Sequence, residues 1–243
     1  MATIIRDGWL TDVTGIPCYG MDVTDADVPA LAAEIPGGTA FVSAKVPVTR
    51  VDLAKAATRA GFYLVDTNVT LQHFASSRND VPDKGVAIEP AAASDHTAVQ
   101  DIASSVFRYS RFHLDPGLPR ALADRVKREW ARSCCEGRRG SGLFVARREG
   151  RVAGFLAVLT ATHDGNTAAV IDLIGVDRSV QGAGVGTALV RHFVRESRAR
   201  ADVLRVGTQL ANIPSLALYR RCGFSVVEAK YVLHAHLKNG KAL

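Results

Sequence analysis

Cysteine is scarce in this chain of 243 residues, which has only Cys18, Cys134, Cys135 and Cys222. They make no Cys-x-x-Cys pair and no zinc spacing, and the vicinal Cys134 and Cys135 cannot easily bridge in a relaxed backbone. Free thiols in a reducing compartment are expected, with no disulfide framework and no metal. Long apolar runs are also missing, so no membrane span is expected. No basic segment followed by an apolar stretch opens the chain, because Arg6, Asp7 and Asp12 interrupt it. Export is not expected and a cytoplasmic location is. The basic residues are dispersed, as in Arg138-Arg139 and Arg147-Arg148, and lack the interleaved aromatics of a stacking platform. That argues against nucleic acid as the partner and for small molecules.

What remains is an ordinary globular composition, 47% hydrophobic and 22% charged. The charge is unevenly shared. Residues 1–80 carry six basic and nine acidic side chains, whereas residues 81–243 carry 24 basic and 15 acidic. A basic second part suits a polyanionic ligand.

Turn signals divide the chain. Residues 1–36 are weakly patterned, with Val28 to Ala33 as a short helix candidate. Phe41 to Val46 reads as a strand, Val51 to Ala60 as a helix closed by Gly61, and Phe62 to Phe74 as a long strand. Ala75 to Gly85 has linker composition. The expected domains are therefore a small α/β unit at 1–78, a linker at 79–85 and a larger unit at 86–243. In the latter, Val86–Glu89 is a strand candidate, and Ala92–Phe107 and Leu118–Arg132 are helix candidates. Gly140–Arg148 and Arg151–Thr160 form a hairpin turning at Glu149-Gly150. Strand Ala168–Val176, a helix to about Ala199, strand Val203–Thr208 and a helix from Asn212 to Cys222 follow. Strands Ser225–Val227 and Lys230–Leu237 close the chain. A faint echo links Ala56–Asp66 to Leu218–Glu228 at an offset of 162 residues, each a helix closed by Gly and followed by Phe.

Between strand Ala168–Val176 and its helix lies Val180-Gln-Gly-Ala-Gly-Val-Gly186. Strand, glycine turn and helix start can converge backbone N–H groups on phosphate oxygens. No Lys-Ser/Thr follows the glycines, which excludes a P-loop, and the acidic residue of a dinucleotide fingerprint is misplaced. The Gln-x-x-Gly-x-Gly pattern resembles the pyrophosphate loop of the GNAT superfamily of N-acetyltransferases. Asn212, Tyr219 and Gly223-Phe224 stand at that superfamily's spacing, and the element order of residues 86–237 is similar to it. The resemblance implies an α/β GNAT fold, a mixed central sheet flanked by helices, here preceded by a smaller α/β domain resembling a degenerate half of the same fold. Ala57 of that half stands where the second has Tyr219, so only the second half is expected to be catalytic.

Acetyl-CoA is the implied acyl donor. Gln181, Gly182, Ala183, Gly184, Val185, Gly186 and Thr187 would receive its pyrophosphate at a helix N-terminus, with Arg178 and Arg147 as outer phosphate partners. Ile174, Gly175 and Val176 would offer its pantetheine the free edge of a strand splayed from Val203–Thr208. Tyr219 would be the general acid for the departing thiolate, with Asn212 beside it. Asp172 is a candidate base, although ordered water serves that role in several members and is the preferred reading. Arg111, His113, Asp115, Trp130 and Thr208 would form the acceptor site. Attack would be direct, with no covalent enzyme intermediate.

A closer likeness is carried by Gly61-Phe-Tyr-Leu-Val-Asp-Thr67, Tyr109 to Pro116, Trp130 and Val206 to Tyr219. These resemble the dTDP-4-amino-4,6-dideoxygalactose N-acetyltransferases, which implies a nucleotide-linked amino sugar as acceptor. The segment Trp9–Tyr19 departs from their pattern. The alternatives are a secondary-metabolite amine as acceptor, an aminoacyl-tRNA as donor, or a non-catalytic CoA-binding module. Either a monomer or a homodimer fits the sequence.

Overall fold

The computed structural model describes residues 3–24, 28, 31, 35, 37–74, 86–163, 165–239 and 241–242. The helix candidate Val28–Ala33 and the linker at 79–85 therefore fall largely or wholly outside the described residues.

The weakly patterned start contains β1 (Thr3–Arg6), α1 (Gly8–Thr14) and β2 (Cys18–Asp22). Asp7 caps α1 by accepting from Leu10 N at 2.8 Å, and Gly15 closes it in the left-handed region at φ 77°. A side-chain oxygen and a glycine thus bracket a seven-residue helix whose composition alone is unremarked. Next come β3 (Thr39–Pro47), α2 (Val51–Arg59) and β4 (Tyr63–His73). Ala40, Val42, Ala44 and Val46 of β3 pack with Leu53 and Ala57 of α2, whereas Phe41 turns to the other face, against Phe112 and Val126. That alternation is what a strand buried on both faces requires.

The second part runs β5 (Ala87–Pro90), α3 (His96–Val106), α4 (Arg120–Cys135), β6 (Gly142–Arg148), β7 (Arg151–His163) and β8 (Asn166–Val176). It continues with α5 (Val185–Ser197), β9 (Val203–Gln209), α6 (Ile213–Arg221), β10 (Phe224–Lys238) and β11 (Lys241–Ala242). The two strands expected at Ser225–Val227 and Lys230–Leu237 are one, with a bulge between Val226 and Glu228 that bends the strand without ending it.

All the described strands join in one mixed sheet of order β1-β2-β3-β10-β4-β9-β8-β7-β6-β5, with β11 on β10. The strands from the two parts interleave: β4 lies between β9 and β10, and β10 lies between β3 and β4. The echo in the sequence sits at the middle of this arrangement. Gly61 and Gly223 both close a helix with positive φ, 104° and 87°, and the strands they start, β4 and β10, are antiparallel neighbours. On each side comes an antiparallel partner, then a parallel one: β3 and β2 outside β10, β9 and β8 outside β4. Each half therefore lends its last strand to the other. α5 and α6 cover one face through Leu189, Phe193 and Tyr219, and α3 and α4 cover the other through Val99, Ile102 and Ala131.

Candidate active site

Parallel strands β8 and β9 pair only over Ala168–Ile171 and Val203–Val206. Beyond that point β9 stays with β4, through Gly207 to Gln209, and the facing edge of β8 from Asp172 to Val176 has no strand partner among the described residues. Ile174, Gly175 and Val176 lie on this open edge, as the resemblance implied. The edge leads into a short turn in which Asp177 accepts from Ser179 N at 2.9 Å, and then into the glycine loop. Gln181 donates through Nε2 to the Val176 carbonyl at 3.0 Å, so it ties the loop to the strand end. Gly182 and Gly184 hold φ of 83° and 86°, a region costly for other L-residues, and Gly184 is the N-cap of α5. The first N–H groups of α5 are thereby presented, with Ala183 exposed and Val185 buried beneath them.

The two arginines expected as outer phosphate partners are engaged elsewhere. Arg147 pairs with Asp95 at 2.8 Å and with Glu89, and Arg178 donates to the Ser105 carbonyl.

Asn212 caps α6: Oδ1 accepts from Ser215 N at 3.3 Å, and Nδ2 donates to Thr208 Oγ1 at 3.2 Å. Thr208 is buried and serves this cap. Two turns along, Tyr219 is 2% exposed and packs its ring on Phe224, centroids 6.0 Å apart. Burial pushes its phenol well above the usual range, so it stays protonated. Its hydroxyl makes no hydrogen bond among the described residues.

On the opposite face a cleft of about 450 Å³ opens between α1, the α3–α4 connection and α4, lined by Asp7, Trp9, Arg111, Trp130, Arg138 and Arg139. Asp172 anchors its inner wall. It accepts from Trp130 Nε1 at 2.9 Å and from Arg139 Nε and Nη2 at 2.6 Å each. With both oxygens so occupied, Asp172 orients the two side chains that line the cleft and is poorly placed to take a proton. Arg139 and Lys127 lie 4.6 and 4.5 Å from the Trp130 ring centroid. Burial, with Arg111 nearby, pulls the Lys127 ammonium down to about 8. Arg111 stacks 4.5 Å over Phe112, and burial holds its guanidinium below the usual range despite Asp7. Among the described residues it forms no hydrogen bond and no ion pair.

His113 and Asp115 do not line this cleft. His113 bonds to Ser110 Oγ at 2.6 Å and Asp124 Oδ1 at 2.9 Å. Asp115, 2% exposed, accepts from Tyr63 Oη at 2.5 Å, His234 Nδ1 at 2.6 Å, His236 Nε2 at 3.0 Å and Gly117 N at 2.8 Å. Both fasten the turn that carries Arg111. Trp9 opens the segment Trp9–Tyr19 that departs from the family pattern, whereas Asp7 and Lys127 have no place among the sequence expectations for the site. The one available signal was the Asp7–Gly15 pair of helix caps. Nothing local marks Tyr63, His234 and His236 as partners of a residue more than 50 positions away.

The sequence profile described as Acetyltransferase (GNAT) family matches residues 99–224. A spore coat polysaccharide biosynthesis protein, SpsD, of Bacillus subtilis is 28% identical over 146 residues, 60% of this chain and 49% of that protein. A mycothiol acetyltransferase of Saccharomonospora viridis is 34% identical over 96 residues, covering 36% of this chain and 31% of its own. The chain thus spans about half the length of these curated relatives, or less. Among solved structures, a GCN5-related N-acetyltransferase from Sphaerobacter thermophilus aligns over 100% of this chain and 78% of its own, with TM-score 0.62 and 13% identity. At that identity the likeness concerns the fold. No described helix is long and apolar enough to cross a membrane.

Proposed function

Because the chain belongs to the acetyltransferase (GNAT) family, we propose that it transfers an acetyl group from acetyl-CoA to the primary amine of an anionic small molecule, specifically a nucleotide-linked 4-amino-4,6-dideoxy sugar. The observation that carries the acceptor class is Arg111. A half-buried guanidinium that no carboxylate pairs directly is costly, and here it lines a cleft that also presents Arg138 and Arg139. A diphosphate offers such a guanidinium a bidentate partner, whereas a polyamine would be repelled. The similarity to a spore coat polysaccharide biosynthesis protein supports a carbohydrate acceptor.

For the donor, the thioester supplies the activated acetyl carbon. The α5 N-terminus and the glycine loop would hold the pyrophosphate, where the helix dipole favours negative charge. The open edge of β8 would bond the pantetheine amides. Tyr219, kept protonated by burial, would donate to the departing sulfur, and the same low dielectric raises the proton affinity of that nascent thiolate.

The test is thiol release from acetyl-CoA with dTDP-amino sugars, UDP-amino sugars, aminoglycosides and polyamines as acceptors. Turnover on the dTDP-linked amines is expected. Turnover only on free cationic amines, with no inhibition by dTDP, rejects the nucleotide-sugar assignment. Calorimetry with CoA discriminates the alternative donor, since sub-millimolar binding disfavours aminoacyl-tRNA. Arg111→Gln should raise KM for the diphosphate acceptor about 30-fold or more, the equivalent of about 2 kcal/mol for losing one partner of a buried charge pair. KM for acetyl-CoA should not move.

A further inference from the structure

The segment Gly61-Phe-Tyr-Leu-Val-Asp-Thr67 carries a carboxylate, Asp66, with no role in the site described so far. In the fold this segment starts β4, the strand held between β9 and β10. Asp66 pairs across to Val232 of β10, and the ladder slips just before it, between Asp66 and Leu64, leaving Val65 as the extra residue. Such a bulge re-aims the side chains beside it and recurs next to active sites. On the other edge of β4, Leu210 N donates to the Thr67 carbonyl at 2.7 Å, and Ala211 follows immediately. The Asp66 carboxylate lies near the backbone N–H groups of Thr67 and Ala211, which oppose the effect of its burial. Ala211 directly precedes Asn212, the cap of the helix that carries Tyr219.

One oxygen of this carboxylate stands out. Oδ2 is buried and has no hydrogen-bond partner. Other enclosed aspartates of the chain have partners of clear identity: Asp95 has Arg147, Asp172 has Arg139, and Asp115 has its histidines. An unpaired buried acceptor costs about 1–3 kcal/mol, and such an exception in a folded chain calls for a use. Strand position and orphan oxygen together leave one kind of partner wanting, a compact cationic donor.

We propose that Asp66, supplied by the first part of the chain, receives the acceptor's ammonium group beside the β9–α6 turn and takes its first proton. This rests on the transferase reading above and replaces ordered water in that step. Proton transfer from R–NH3⁺ to the Asp66 carboxylate leaves R–NH2, whose lone pair attacks the thioester carbonyl carbon. The C–N bond forms and the C–S bond breaks. The thiolate takes its proton from Tyr219, which recovers one from the positively charged nitrogen of the new amide. Asp66 then returns its proton to water, so the sum is amide, CoA thiol and one released proton. Burial raises the Asp66 carboxyl above its ordinary range, in the direction a proton acceptor needs.

The test compares the full-length wild type with Asp66→Asn. The acceptors are dTDP-4-amino-4,6-dideoxygalactose, or whichever amine the wild type turns over fastest, and hydroxylamine, which is already neutral at pH 7. Asp66→Asn should lower kcat on the amino sugar about 100-fold or more. Enzyme-dependent transfer to hydroxylamine should stay within about threefold, because that amine needs no base. The variant should melt no lower than the wild type, because a desolvated charge has been removed. Equal loss on both acceptors, a change under threefold on the amino sugar, or a melting point several degrees lower would each overturn the assignment. If the wild type releases no thiol with any amine, the transferase reading itself fails and takes this one with it.

Discussion

Tyr219→Phe should lower kcat for thiol release by about 100-fold or more, within the range that general acids contribute, and leave the melting temperature nearly unchanged. The separation of the two effects follows from where the side chain lies. The ring is 2% exposed, in the cluster formed by Val69, Leu71, Leu189 and Phe224, and phenylalanine keeps every one of those contacts. The hydroxyl has no hydrogen-bond partner among the described residues, so its removal leaves no donor or acceptor stranded. Steady-state kinetics alongside thermal melting checks both halves. A folded variant with near-wild-type turnover would reduce Tyr219 to a packing residue.

The largest loss of stability is expected at Asp115. Asp115→Ala removes the acceptor for Tyr63, His234, His236 and the Gly117 backbone at once. Breaking a buried, fully bonded charge site in this way costs about 3–5 kcal/mol. The same cluster sets an acid dependence whose sign can be worked out. Burial depresses His234 to about 4 even though Asp115 opposes the shift, so in the folded chain it is neutral, with Nδ1–H donating to the carboxylate. The unfolded chain takes up that proton near its usual value of about 6.5, so stability falls as pH drops from there towards 4. Burial opposes ionisation of Asp115, but the bonds from His234, His236 and Tyr63 hold its carboxyl well below the usual range. Its contribution is therefore present above about 3.9 and is lost as pH falls below that value. Urea midpoints at pH 7.5, 5.5 and 4.5 should decline for the wild type. Asp115→Ala should start several kcal/mol lower at pH 7.5. Equal midpoints for the two proteins at pH 7.5 would contradict the cluster's role.

The glycine loop, the cap of α6 and the strands beside them were legible because their signals are local. Gly182 and Gly184 demand positive φ, Asn212 bonds three residues ahead, and strands β8 and β9 alternate in their own sequence. The parting of β8 from β9 was carried by likeness, and the register shows it. The acceptor side was legible only as a set of charges. Arg147 reads like a free phosphate hand until Asp95, 52 positions earlier, is folded against it. Asp115 reads like an exposed turn acid until residues 119 and 121 positions later arrive beside it. Asp172 reads as a candidate base, second to ordered water, until Arg139, 33 residues before it, is folded against it. Trp9 lay in a stretch too short and too mixed for periodicity to speak, yet it meets Trp130 edge-on at 6.0 Å.

The interleaving of β4 and β10 also bears on how this protein emerges from the ribosome. β3 and β4 are made before β10 but do not pair with each other; β10 (Phe224–Lys238) lies between them. During synthesis both early strands must wait with open edges, and β9 must wait for β4 to be placed. Pairings that span more than 150 residues, such as Thr70 with Glu228, are slow to close and expose strand edges in the meantime. Refolding from denaturant should accordingly be a single slow, concentration-sensitive event, with neither half of the chain gaining protection from amide exchange before the other.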